Sequence, residues 1–361
     1  MIYLKGEEGE GITVVTRPIK DYARSNPNLY ISIVRAVATR TDRVVEFVIK
    51  LGRSRSAREH EGRVYDAVSS SHRVVPCVYW GAFARPYALP FLAGAPCLPP
   101  DAIRDIERRF DRRHIDDAGL YVVATLFRPQ IVSVEQCIRD GTLPPSDYVS
   151  DAVRTIRRLF AEKRLVHYDL HHHNQLVDFA TGELHLVDLD FATVRGQPES
   201  RIFAILPVDL CASIADSLAP APVAALASPD ASRTQSPDRA STRDEVGHFY
   251  DITMLFVAHA NYVRRTSRDS SRPPPYSPPT PDERRLFRCY QTASAIVAGL
   301  EWKPLFEARL GDRFESVKTH TRLLLIASTL VALYARQTDQ ATVKRRLARA
   351  LERIGRETTA S

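Results

Sequence analysis

Two hydrophobic rhythms divide the chain. Early on, apolar residues come in short β-branched runs: YISIVRAVAT over 30–39 and RVVEFVIKL over 43–51, with the polar RTD between them. Such runs about a short turn predict an antiparallel hairpin. A short helix is expected over 56–68. A further strand, LYVVATLF over 120–127, stops at Pro129, which has no N–H to give a ladder. The rest of the first 130 residues reads mostly as strand.

From about Val132 the rhythm turns helical. In SDYVSDAVRTIRRLFAEKRL, Val149, Val153, Ile156, Leu159 and Phe160 recur at helical spacing, with Ser146 placed as a cap. Residues 175–177 and 183–187 flank an ATG turn as a second hairpin, and the chain after Asp251 reads as helix to its end. The uncharged run LLLIASTLVALYA, 323–335, is too short to span a bilayer and is expected as a buried helix. Two stretches, 217–245 and 264–283, are rich in Pro and Ser and poor in large apolar residues; they are expected to be disordered insertions. The pattern predicts an α+β protein with a strand-rich part, 1–128, and a helical part, 129–361.

Composition adds exclusions. Hydrophobic residues make up 44% of the 361, enough for a real core. The five cysteines are scattered and never spaced as CxxC, which predicts a reducing setting without a cysteine metal site. No basic segment followed by an apolar one opens the chain, so an intracellular location, cytoplasmic or nuclear, is expected. The net charge is +7, yet no nucleic-acid-binding motif accompanies it, so the arginines are expected on solvated faces.

Candidate chemistry sits in LVHYDLHHHNQLVD, residues 165–178, which holds four of the eleven histidines. Adjacent histidine side chains diverge, so tetrahedral zinc is awkward here. The spacing His167-x-Asp169-Leu170-x-x-x-Asn174 fits another chemistry: a carboxylate that takes a hydroxyl proton and an amide oxygen that helps hold Mg²⁺. LHLVDLDFA then supplies Asp188 as a metal-chelating carboxylate. Upstream, Lys50 ends VVEFVIK with Val48 on the same strand face. In the following helix Glu61 shares a stripe with Val64, Tyr65 and Val68, whereas Glu59 sits with Gly62, Arg63 and Asp66 on the face expected to meet solvent. Glu61 is therefore the expected partner of Lys50.

In this order and on these elements the residues resemble the protein-kinase-like superfamily over roughly residues 30–260. The resemblance implies a bilobal fold in which a sheet lobe with one helix closes over ATP and a helical lobe carries the catalytic loop. It implies Asp169, Lys50, Glu61, His167 and His171 as catalytic candidates, Lys50, Val48, Asn174 and Asp188 at the nucleotide, Asn174 and Asp188 on Mg²⁺, and Asp251 as anchor of the loop. The chain also departs from the pattern. GEEGEG, 6–11, lies too far before Lys50 and is acidic, and ARSNPNLYIS, where phosphates would be covered, has no glycine. Tyr168 stands in place of arginine, Asp188 is followed by Leu189 and Asp190, and no APE follows. His171 makes the loop similar to those of aminoglycoside and choline phosphotransferases. The expected activity is transfer of the γ-phosphate of Mg-ATP to a protein serine or threonine, by a divergent protein kinase. The alternatives are a small-molecule alcohol kinase and a pseudokinase binding module. ATP and the acceptor are the expected partners, with no membrane and no nucleic acid.

Overall fold

The computed structural model describes residues 11–19, 29–83, 85–110, 119–128, 130–140, 142, 148–197, 200–218, 241–266 and 276–359. The chain is α+β, a small antiparallel sheet followed by a mostly helical region. Strands β1 (Ile12–Pro18), β2 (Leu29–Ala38) and β3 (Val44–Gly52) precede helix α1 (Arg55–Val68) and strand β4 (Cys77–Phe83). Helix α2 (Pro100–Phe110) leads to β5 (Leu120–Leu126), and the five strands pair antiparallel in the order β1-β2-β3-β5-β4.

Register decides what each face carries. Lys50 lies opposite Ile31 on β2 and Val123 on β5, and Val48 opposite Thr125, so these side chains share one face. Phe47, Ile49 and Leu51 point the other way, where Leu89, Phe91 and Leu98 and the α2 residues Ile106 and Phe110 bury them in a second core. Ser54 caps α1 by accepting from the Ala57 N–H. The helix crosses the sheet at β4, where Gly62 allows the approach: a Cβ there would lie 2.8 Å from Trp80 Cδ1.

Strand β6 (Ile131–Ser133) runs straight into α3 (Val134–Asp140), followed by α4 (Tyr148–Lys163), β7 (Gln175–Asp178) and β8 (Leu184–Leu186). The three strands form a second antiparallel sheet, β6-β7-β8. Helices α5 (Ile202–Ile205), α6 (Val208–Leu218), α7 (Thr242–Thr266), α8 (Pro281–Ala298), α9 (Lys303–Leu310), α10 (Phe314–Leu330) and α11 (Gln340–Thr359) complete the chain, with a π turn over Val331–Ala335. Their core is continuous with Val64, Tyr65 and Val68 of α1 and Val123 of β5.

The hairpins, the α1 stretch, the β5 stretch and the buried run at 323–335 lie where the hydrophobic pattern puts them. Four expectations are corrected. α2 is a helix inside a region read as strand; its apolar residues Ala102, Ile106 and Phe110 recur at four-residue spacing, a short signal beside the surrounding strands. The expected 217–245 insertion overlaps helix at both ends, because α6 runs to Leu218 and α7 begins at Thr242. The same holds for 264–283: α7 reaches Thr266, Tyr276 packs against the core, and α8 begins at Pro281 behind its Thr280 cap and a proline at its first position. Gly62 is buried rather than solvated, because absence of a side chain is what its contact with Trp80 requires. The GEEGEG run apart from Gly11, residues 23–28 of the glycine-free stretch, Ser146, and the middles of both insertions (219–240 and 267–275) lie outside the described residues. No helix among the described residues is long and apolar enough to cross a membrane.

Candidate functional site

A cavity of about 600 Å³ lies between the two sheets. Ile31, Val48, Val123 and Thr125 line it from the first sheet, Leu176 and His185 from the second, and Val187 from the segment after β8. Apolar strand residues make up much of its wall, and Lys50, Glu61, Asn174 and Asp188 are among the polar groups that line it. That combination, apolar walls with a few convergent polar groups, is what a small-molecule site requires.

Lys50 is 7% exposed and sits among three carboxylates. Its Nζ contacts Asp188 directly, lies 3.4 Å from Glu61 and 3.6 Å from Asp190. Burial opposes the ammonium charge, but Asp188, Asp190 and Glu61 outweigh it and hold the lysine's pKa above its usual value. Glu61 is 1% exposed, and burial raises its carboxyl despite Lys50 and Arg58 beside it. Glu59 instead pairs with Arg55 at 2.7 Å on the outer side of α1. Sheet register and helix periodicity therefore bring Lys50 and Glu61 together and leave Glu59 out.

The loop between α4 and β7 is fixed from beneath. Asp251 of α7 accepts the His167 N–H at 2.6 Å and the Tyr168 N–H at 2.9 Å. Burial pushes this carboxyl up to about 7, while the two N–H groups stabilise its charge. Tyr168 holds φ +60 and Asp188 φ +63, left-handed backbone that costs a residue with a Cβ about 1–3 kcal/mol. One lies in the loop and the other lines the cavity, and at both the surrounding structure overrides local preference. The buried Tyr168 ring packs between Phe203 and Tyr250, so the arginine expected from the resemblance is replaced by an apolar plug.

The four histidines part ways. His167 is 1% exposed; its Nε2–H donates to Val187 O at 2.9 Å and its Nδ1 accepts the Asp169 N–H at 3.3 Å. With both nitrogens used by backbone, His167 braces the loop against the strand before Asp188 and has none left for a reactant. Its observed contacts are therefore with the backbone of the site. His172 reaches Ala258 O at 2.7 Å on α7. His171 and His173 face each other edge to face, 5.4 Å apart, with His171 Nε2 3.6 Å from Asp169. Burial and the neighbouring histidines hold His171 down at about 4, so its ring is neutral at pH 7. Among the described residues no group of three His, Cys, Asp or Glu is placed to hold a metal.

Asn174 is tied to Asp169 within the same loop. Its Nδ2 donates to Asp169 backbone O at 2.8 Å and to Asp169 Oδ2 at 3.2 Å. Its Oδ1 is buried and has no partner. A buried amide oxygen left unsatisfied costs about 1–3 kcal/mol, so it calls for a cation or donor. Asp169 itself is pushed up to about 8 by burial, then by the negative charges of Asp188 and Asp190.

The sequence pattern assigns no role at the site to Arg58, Tyr65 or Asp190, which the structure brings there. Arg58 is 2% exposed and lies three residues before Glu61 on the same stripe. It contacts Glu61 and places Nη2 3.1 Å from Asp190 Oδ2. Tyr65 Oη accepts the Asp188 N–H at 3.1 Å. The i, i+3, i+7 spacing of 58, 61 and 65 was the available signal.

Compared with known proteins, the chain matches no family model and no curated sequence.

Proposed function

We propose that the chain is a phosphotransferase with a bilobal, protein-kinase-like fold that moves the γ-phosphoryl of Mg-ATP to a serine or threonine hydroxyl of a protein. The observation that carries this reading is that Lys50, Glu61, Asn174 and Asp188 line one cavity together with apolar strand residues, with Lys50 on Glu61 and Asp188 and Asp169 hydrogen-bonded to Asn174. The apolar strand residues Ile31, Val48, Val123 and Leu176 suit a nucleobase. Lys50, kept charged by its carboxylates, suits the phosphates.

Asp188 and the free Oδ1 of Asn174 fit Mg²⁺, which takes one or two protein oxygens and completes its shell with phosphate and water. The ion's chemistry there is to neutralise charge on the phosphates. Asp169 accepts the proton of the acceptor hydroxyl as its oxygen bonds to the γ-phosphorus and the bond to ADP breaks. Asn174 Nδ2 keeps the carboxylate turned for that task. His167 and Asp251 hold the loop in register with Asp188.

A second reading has one observation in its favour. His171 is neutral and 40% exposed beside Asp169, at a position where the resemblance to protein kinases implies a lysine. That suits a small alcohol acceptor of aminoglycoside or choline type. The test is transfer from γ-labelled ATP to panels of proteins and of amino-alcohols. Label on protein serine or threonine supports the first acceptor and label on the alcohols the second. Asp169→Asn is expected to lower turnover about 10²–10⁴-fold, the worth of a positioned base, with ATP affinity nearly unchanged. Binding of Mg-ATP without transfer to any acceptor would make the chain a pseudokinase instead.

A further inference from the structure

The carboxylates around Lys50 outnumber what one lysine satisfies. Glu61, Asp188 and Asp190 all lie within 3.6 Å of its Nζ. Asp190 is 5% exposed and Arg58 is 2% exposed, so neither charge is stabilised by water. Arg58 divides its guanidinium between Glu61 and Asp190, and Arg201 closes over Asp190 from outside at 2.8 Å while stacking 4.6 Å above Phe191. Three separate bonds then join α1 to residues 188–192: Tyr65 Oη to the Asp188 N–H, Arg58 to Asp190, and His60 Nε2 to Ala192 O at 2.8 Å. Arg58 and Tyr65, seven residues apart, lie on one face of α1, and His60 reaches Ala192 from another.

We propose that Arg58 and Asp190 are positioning residues: their buried ion pair clamps α1 to the segment carrying Asp188. The Lys50–Glu61 pair thereby stands assembled before any nucleotide arrives, and Asp190 is kept from capturing Lys50. The physical reason is charge competition. Without Arg58, Asp190 keeps only the exposed Arg201 at 2.8 Å, and the nearest buried cation left to it is Lys50 at 3.6 Å, which draws the ammonium away from Glu61 and Asp188. Without Asp190, Arg58 is a buried cation with only Glu61, and it competes with Lys50 for that carboxylate. Either loss disturbs Lys50 without touching substrate. For catalysis the proposal rests on the phosphotransferase reading; as a clamp it does not.

The test therefore reads both. Hydrogen exchange in α1 and in residues 188–193 is followed on the full chain without ligand for wild type, Arg58→Met, Asp190→Asn and the double variant. Each single variant is expected to speed exchange in both segments about tenfold or more, since breaking one side of a buried pair leaves an uncompensated charge. The double variant, with neither charge, is expected to recover part of the protection. In turnover assays each single variant is expected to raise KM for Mg-ATP about tenfold, with kcat at saturation falling less, because bound nucleotide recaptures Lys50. Arg58→Lys, which keeps the charge, should restore KM in part, and it carries the test should Arg58→Met fail to fold. Unchanged exchange in α1 in both single variants, or a double variant no better protected than either, overturns the clamp. Coupled exchange without any phosphate transfer leaves the clamp standing and overturns only the catalytic reading.

Discussion

Asp169 carries opposite consequences for rate and for stability. Burial first, then Asp188 and Asp190, push its carboxyl up to about 8. A general base works deprotonated, so kcat/KM for the acceptor is expected to rise about tenfold per pH unit towards pH 8 and to level above it. Asp169→Asn should lose that limb; a wild-type profile already flat from pH 6 would count against Asp169 as the base. For stability, the folded chain holds this proton where the unfolded chain has released it. The contribution is therefore full below the ordinary aspartate range, near pH 4, and is lost as pH rises through about 8. Urea unfolding at pH 5 and pH 8 should show a smaller drop in Asp169→Asn than in wild type.

Helix α7 is the element on which the candidate loop rests. Asp251 reaches up to the loop backbone, and Gly247, one turn earlier, lets the helix come close. A Cβ at Gly247 would sit 2.7 Å from Val166 Cγ1 and nearer still to Tyr168 Oη. Two effects of Gly247→Ala oppose each other. Alanine favours a helix interior by about 0.5–1 kcal/mol, while overpacking costs about 1–3 kcal/mol. The clash is with a buried tyrosine held at positive φ, which has little room to yield, so the second effect should win. Gly247→Ala is expected to melt lower than wild type and to turn over more slowly, because the displaced Tyr168 neighbours Asp169. A variant with raised stability and full turnover would show that α7 does not set the loop.

At the scale of the whole molecule, the cavity joins two parts that otherwise have their own layers. The first sheet is covered on its far face by residues 85–110, and the helical region has a core reaching α1. A ligand gripped by both sheets stabilises their joint fold by mass action. Mg-ATP at a hundred times its Kd should add about 2.7 kcal/mol to unfolding free energy, read as a rise in Tm. Lys50→Met and Asp188→Asn should each lose most of that rise, since the proposed reading has one hold phosphate and the other the metal. A rise equal in wild type and both variants would place the nucleotide elsewhere.

The sequence determined by itself what repeats locally. Period-two runs at 30–39 and 43–51, helical spacing at 149–160, and the stripe that separates Glu61 from Glu59 are all fixed by neighbours a few residues away. Lys50, Glu61 and Asp251 were legible because each sits at a defined point on such an element, and Asp169, Asn174 and Asp188 because of their spacing in and after the loop. Tertiary structure alone decided the rest. That α2 covers the sheet's far face, that Gly62 receives Trp80, and that Tyr168 fills the space under the loop are contacts between distant segments, which no local period encodes. Above all, Arg58 and Asp190 stand 132 residues apart. Their pairing follows from burial: a charge withdrawn from water must find its partner in space, and the fold, not the spacing along the chain, determines which one it meets.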